Sequence, residues 1–132
     1  MKVLLDTNIC IYLIKNNPPE ARQHFAKFKP GDVWVSAITG AELQYGVAKS
    51  AAKDKNAAAL SAFLLPLEIL PFDNVAAGAY GVIRSHLEQL GQTIGNLDML
   101  IAAQAIAHKL TLVSNNLKEF ERVPELVCEN WV

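Results

Sequence analysis

Only two cysteines occur in the chain, Cys10 and Cys128, and they stand too far apart for any zinc-ligand spacing and are too few for a disulfide framework. They read as reduced, mostly buried thiols, the usage expected of a cytoplasmic protein. Excess charge is missing as well. Twelve basic against thirteen acidic side chains leave a net charge of −1, so no bulk positive field draws a polyanion, and any such partner must be held locally by a metal or a patch. No apolar run is long enough to cross a membrane; the opening MKVLLDTNICIYLIK resembles a secretion signal only until Asp6 and Asn8 interrupt it, and no small-residue cleavage site follows. Repeats, low-complexity tracts and linkers are absent too, so residues 1–132 read as one domain. At 52% hydrophobic content, a chain of this length can bury a substantial core.

What is present is an alternation of short β-rich runs with longer helical periodicities, the pattern of a parallel sheet covered on both faces. Strands are expected at Val3–Leu5, Val33–Ser36, Glu68–Pro71, Thr111–Ser114 and Leu126–Glu129. The first helix should begin near Asn8 and stop before Pro18, because the residue before a proline is pushed out of helical geometry. Pro19 then opens a helix continuing through Ala21–Phe28. Further helices are expected over Thr39–Lys49, Lys53–Leu65, Val75–Leu90, which Gly91 ends, and Leu97–His108. Right-handed crossovers predict an α/β fold, a doubly wound parallel sheet of strand order 3-2-1-4-5 with helices on both faces. Its ligand crevice lies beyond the carboxyl ends of the first and fourth strands, where the winding reverses.

Three carboxylates stand where strand runs into helix: Asp6 in VLLDTN, Glu42 in VSAITGAEL and Asp98 in GNLDMLIAA. Each sits in apolar sequence, where a lone negative charge is costly unless something positive meets it. A hard divalent cation such as Mg²⁺ suits this pattern, since it prefers oxygen ligands and is often completed by substrate phosphates. Phosphate-ester chemistry is therefore the first reading. Other roles are open to the same residues: Asp6, Thr7 and Asn8 are frequent helix N-caps, and Glu42 has capping-box spacing from Thr39. Asp98 precedes a face that reads as buried, which favours a functional use. After the fourth strand, Ser114, Asn115, Asn116 and Glu119 lie at the switch point, although a turn-and-cap cluster would use the same residues. His24, His86 and His108 lack ligand spacing, and Cys10 has no nearby base to activate it. Lys49, Lys53 and Lys55 form a loose basic patch, and Arg84 is a further candidate for phosphate contact.

LLDTN, the S-x-I-T-x-x-E-L-x-x-G run from Ser36 to Gly46, GNLDMLIAA, LVSNNLKEF and the closing ERVPELVCENWV together resemble the PIN-domain family, and within it the VapC toxins of bacterial toxin–antitoxin pairs. The resemblance spans the whole chain in order. It implies a Mg²⁺- or Mn²⁺-dependent endoribonuclease that cleaves structured RNA, with initiator tRNA cut in its anticodon loop as the specific expectation. It places the catalytic acids at Asp6, Glu42 and Asp98. Where the family often has a fourth Asp, this chain has Asn116, and Glu119, one helical turn on, would compensate as a metal ligand. Thr7, Asn8, Ser114 and Asn115 would stand behind these groups, with Thr7 or Ser114 orienting phosphate or water. The implied partners are a VapB-type antitoxin, an RNA substrate and a second copy of the chain, assembled into a larger toxin–antitoxin hetero-oligomer. An antitoxin tail would send a basic side chain into the acids and pack its apolar face near Ile9–Leu13. Two other classes compete: a receiver-type phosphoacceptor domain with Asp73 as acceptor, and a non-catalytic PIN-like binding module.

Overall fold

The computed structural model describes all of residues 1–132. Five parallel strands, β1 (Val3–Leu5), β2 (Val33–Ser36), β3 (Glu68–Leu70), β4 (Thr111–Val113) and β5 (Cys128–Glu129), form one sheet in the order β3-β2-β1-β4-β5, as the crossover argument requires. β1 lies at its centre, with Leu4 opposite Trp34 on one side and Leu112 on the other. Successive strand side chains point to opposite faces, so all three residues of β1 are buried, each in a different layer from its neighbour. Val3 and Leu5 join Val33, Val35 and Val113 beneath α1 (Thr7–Lys15), α3 (Ala37–Ala48) and α4 (Lys53–Leu64). Leu4, Leu70 and Leu112 pack under α5 (Asn74–Gln89) and α6 (Asn96–Ala107). No helix is long and apolar enough to cross a membrane.

Boundaries shift where local hydrogen bonding overrides the expected signal. α3 starts at Ala37 rather than Thr39, because Ser36 caps it by accepting the Ile38 N–H at 2.9 Å. The expected Thr39–Glu42 capping box is therefore not formed, and Thr39 is buried in the helix. α2 (Pro19–Phe25) begins at the proline and ends three residues early, and a 3₁₀ turn, Pro30–Asp32, leads into β2. The segment after β4 contains a short helix, α7 (Leu117–Phe120), that the turn-like sequence SNN concealed. As expected, α5 gives way to Gly91, whose φ of +63° suits a residue without a Cβ.

Gln104 fixes how α6 sits on the sheet. Fully buried, its carbonyl accepts from the Ser36 hydroxyl, and its amide donates to Leu70 O at 3.1 Å and Pro71 O at 3.2 Å. One side chain thus ties α6 to the carboxyl ends of β2 and β3, which holds the first turn of α6, and with it Asp98, at the crevice.

Candidate active site

Asp6 is the N-cap of α1 and lines the crevice at once. Its Oδ1 accepts the Ile9 N–H at 2.9 Å, and its own N–H continues the β1–β4 pairing by donating to Val113 O at 3.0 Å. The capping and site readings of this residue are compatible, because a carboxylate has lone pairs for both. Ser114, also fully buried, donates its hydroxyl to Asp6 and accepts the Asn116 N–H at 2.9 Å. Burial raises the Asp6 pKa, the Ser114 and Ile9 bonds oppose that rise, and the Glu42 charge adds to it.

Glu42 meets this centre through Thr7, whose hydroxyl donates to Glu42 Oε1 at 2.7 Å. With that proton committed, Thr39 Oγ1, 3.2 Å from Thr7 Oγ1, must be the donor of the second bond. Thr7 thus stands behind the Glu42 carboxylate. Asn8 is exposed on α1 and meets Asp6 only through its backbone N–H, so its side chain is not the supporting group expected.

Asp98, in the first turn of α6, faces Glu119 of α7. The two carboxyls lie within hydrogen-bonding reach, and burial, then Glu119, then the charges of Asp6 and Glu42 push the Asp98 pKa to about 7. Glu119 is held from both sides: Oε1 accepts the Gly95 N–H at 2.9 Å, and Oε2 accepts from the Asn116 amide. The space beside Gly95 is tight, since a Cβ there would lie 3.3 Å from Asp98 Oδ2, which would have to give by a few tenths of an ångström, and in ordinary contact, 3.8 Å, with Glu119 Oε1. Asn116 therefore reaches the cluster through Glu119. Asn115 does not join it; its amide turns outward and donates to the Tyr12 hydroxyl at 2.9 Å.

The donor set is oxygen throughout, and neighbouring carboxylate charge adds to the raised pKa values of Asp6 and Asp98, a crowding that a cation would relieve. No group of three or more Asp, Glu, His or Cys side chains is drawn together as a ready-made ligand set. Mg²⁺ suits such a site, because it keeps several waters and is usually bound through one or two carboxylates plus substrate phosphates. Cys10 is buried, and that burial raises its thiol pKa well above the usual range, so it serves the core.

Asp73 does not lie in this crevice. It follows the edge strand β3, caps α5 by accepting the Ala76 N–H at 3.0 Å, and places Oδ2 3.0 Å from His108 Nε2. Those two contacts lower its pKa, and its place after the edge strand sets it apart from the acids at the β1–β4 switch point, which leaves the phosphoacceptor reading without an acidic site around it. Arg84 pairs with Tyr80 and Glu88 on the outer face of α5, and Lys49 lies over the Tyr45 ring, so both are engaged away from the acids.

The model of the PIN domain matches residues 3–126. The chain belongs to the PIN domain family. Among the relatives of this PIN domain, "Ribonuclease VapC2" of Rickettsia felis is 47% identical over 132 residues, covering 99% of this chain and 98% of that protein. A "tRNA(fMet)-specific endonuclease VapC" of Salmonella typhimurium is 41% identical over 131 residues, covering 99% and 98%. A VapBC2 crystal structure from Rickettsia felis, bound to a DNA fragment from their promoter, superposes with a TM-score of 0.94 at 44% identity and full coverage of both chains. This PIN domain is thus of the VapC type.

The Asn116–Glu119 pair gives one test of how the acids share their work. Asn116→Asp replaces the amide donor on Glu119 with a like charge, so it should tighten Mn²⁺ binding by about tenfold, and Glu119→Gln should weaken it by a similar factor. Titration calorimetry reads both; unchanged affinity in the pair would mean that Asp6, Glu42 and Asp98 bind the ion alone.

Proposed function

We propose that this PIN domain is the toxin of a toxin–antitoxin pair and acts as a metal-dependent endoribonuclease. The observation that supports the reading is that Asp6, the cap of α1, Glu42, in the middle of α3, and Asp98, in the first turn of α6, lie near enough for the charge of Glu42 to act on Asp6 and the charges of both to act on Asp98. Asp6, Glu42 and Asp98 would hold a Mg²⁺ or Mn²⁺ ion, with Glu119 at its edge; when bound, such an ion neutralises phosphate charge and lowers the pKa of water. The chain's own groups do the positioning. Ser114 fixes the Asp6 carboxylate, Thr7 and Thr39 fix Glu42, and the Gly95 N–H and Asn116 amide hold Glu119 against Asp98. The substrate we favour is a structured RNA, initiator tRNA cut in the anticodon loop, on the strength of the 41% identity to the tRNA(fMet)-specific relative.

Purified protein incubated with cellular RNA should cut it with Mg²⁺ or Mn²⁺ and not with chelator, and sequencing of the new ends should locate the cut in initiator tRNA. A cut elsewhere rejects the substrate; metal-independent or absent cleavage rejects the enzyme. A homodimer pooling scattered Lys and Arg around two sites would compensate for the net charge of −1, and a monomeric mass in light scattering at micromolar concentration would remove it.

Within the Ile9–Leu13 stretch expected from sequence to receive the antitoxin tail, Ile9, Cys10 and Leu13 are buried core, so Ile11, with Ile14 beyond it, is the part that offers apolar surface. The accessible apolar surface is a groove of about 350 Å³ where Ile11 and Ile14 meet Leu43, Val47 and Leu60, with Glu42 in its wall. An amphipathic tail seated there would present a basic side chain to the acids.

A further inference from the structure

The geometry points to Tyr12 as a stacking platform for an RNA base next to the bond that is cut. The inference rests on the ribonuclease reading and names a subsite within it. Tyr12 lies on α1 one turn beyond Asn8, and a long side chain on a helix leans back toward the helix N-terminus, here toward Asp6 and the crevice. The far end of the ring is fixed as well. Its hydroxyl accepts from the Asn115 amide at 2.9 Å, and Asn115 directly follows Ser114, whose own hydroxyl holds Asp6. The ring is therefore fixed between α1 and the end of β4, half-buried, with one side packed against the core and Asn115 joining it to the segment that carries Ser114.

Three observations decide what such a ring can bind. The crevice carries several carboxyls and the chain a net charge of −1, so the protein's own charges do not attract phosphate here. Base stacking on an aromatic face does not depend on charge, tolerates different bases, and is the usual way proteins hold unpaired bases of RNA loops. The Tyr12 hydroxyl is already engaged, which leaves the ring itself as the contact. The other two tyrosines lack this placement: Tyr45 is 66% exposed beneath Lys49, and Tyr80 pairs with Arg84. Tyr12 is also absent from the groove walls formed by Ile11, Ile14 and Lys15, so RNA and the antitoxin tail would use different faces of α1.

The probe is a short single-stranded RNA that the protein cleaves, with 2-aminopurine placed in turn on each side of the cut bond and binding followed in chelator. Fluorescence should be quenched at one of the two positions in the wild type and restored in Tyr12→Ala. In cleavage assays with metal, Tyr12→Ala should raise KM about tenfold with little change in kcat, and Tyr12→Phe, which keeps the ring and frees its end, should raise KM about twofold. An abasic nucleotide at the quenched position should weaken the wild type by the same factor and Tyr12→Ala no further. This RNA-side variant decides the matter even where Tyr12→Ala is unstable. Equal quenching in Tyr12→Ala, or wild-type KM unchanged by abasic sites on both sides of the cut, overturns the platform and leaves the nuclease standing. Failure of the wild type to cleave any RNA with metal overturns both.

Discussion

Asp6→Asn and Asp98→Asn should each lose RNA cleavage entirely while leaving the metal-free protein at least as stable as the wild type. Changes in groups that merely stand behind metal ligands cost about 10- to 100-fold, so removing a ligand charge should exceed about a thousandfold. Stability should move the other way. Asparagine caps a helix as well as aspartate, so α1 keeps its bond from the Ile9 N–H in Asp6→Asn. For Asp98, the folded state holds its proton up to about pH 7, whereas the unfolded chain releases it near 3.8. A native state that binds more protons loses stability as pH rises, so the wild-type protein weakens across that interval and Asp98→Asn does not. Screening by solvent at the half-open crevice limits the gain to about 1–2 kcal/mol. Melting temperatures in chelator, taken in steps from pH 3.8 to about pH 7, should show the two proteins diverging as pH increases, with the gap constant above that interval. An unfolded variant, or one that cleaves normally with Mg²⁺, would remove these residues from the active site.

Expression of the chain without its partner should arrest growth, and co-expression of the small protein encoded beside it should restore growth. The groove on α1, α3 and α4 joins apolar surface to Glu42, so one tail can use both. A guanidinium makes paired, charge-assisted bonds to carboxylates and would occupy the cluster in place of a cation. Two consequences separate this from simple obstruction of a distant surface. Inhibition should weaken as Mg²⁺ increases, and replacing the basic residue of the tail should relieve inhibition while the apolar contact still holds the complex together. Normal growth with soluble protein confirmed would end the toxin reading. Inhibition indifferent both to Mg²⁺ and to the basic residue would end the pocket mechanism.

The sheet is legible in the amino-acid sequence because its signals are local and redundant. VLL, VWVS, EIL and TLV are short β-rich runs, the stretches between them carry helical period, and the handedness of crossovers then leaves few topologies. Asp6 and Asp98 stand out in the same way, since each interrupts apolar sequence at the end of a strand or the start of a helix, whereas Glu42, expected at such a junction, lies in the middle of α3. Tertiary structure decided what each polar group touches. Glu42 has the spacing of a cap for Thr39, yet Ser36 takes that role and Glu42 turns to Thr7, 35 residues away in sequence. Asn115 and Asn116 are adjacent and chemically identical, but the backbone after β4 sends one amide to Tyr12 and the other to Glu119. Gln104 looks like a lone polar residue in an apolar helix, and only the meeting of α6 with the ends of β2 and β3 gives it three partners. Periodicity and charge cost are properties of a segment, so sequence determined the fold and its acids. The partner of a hydrogen bond is a property of two segments brought together, and only the folded chain decides it.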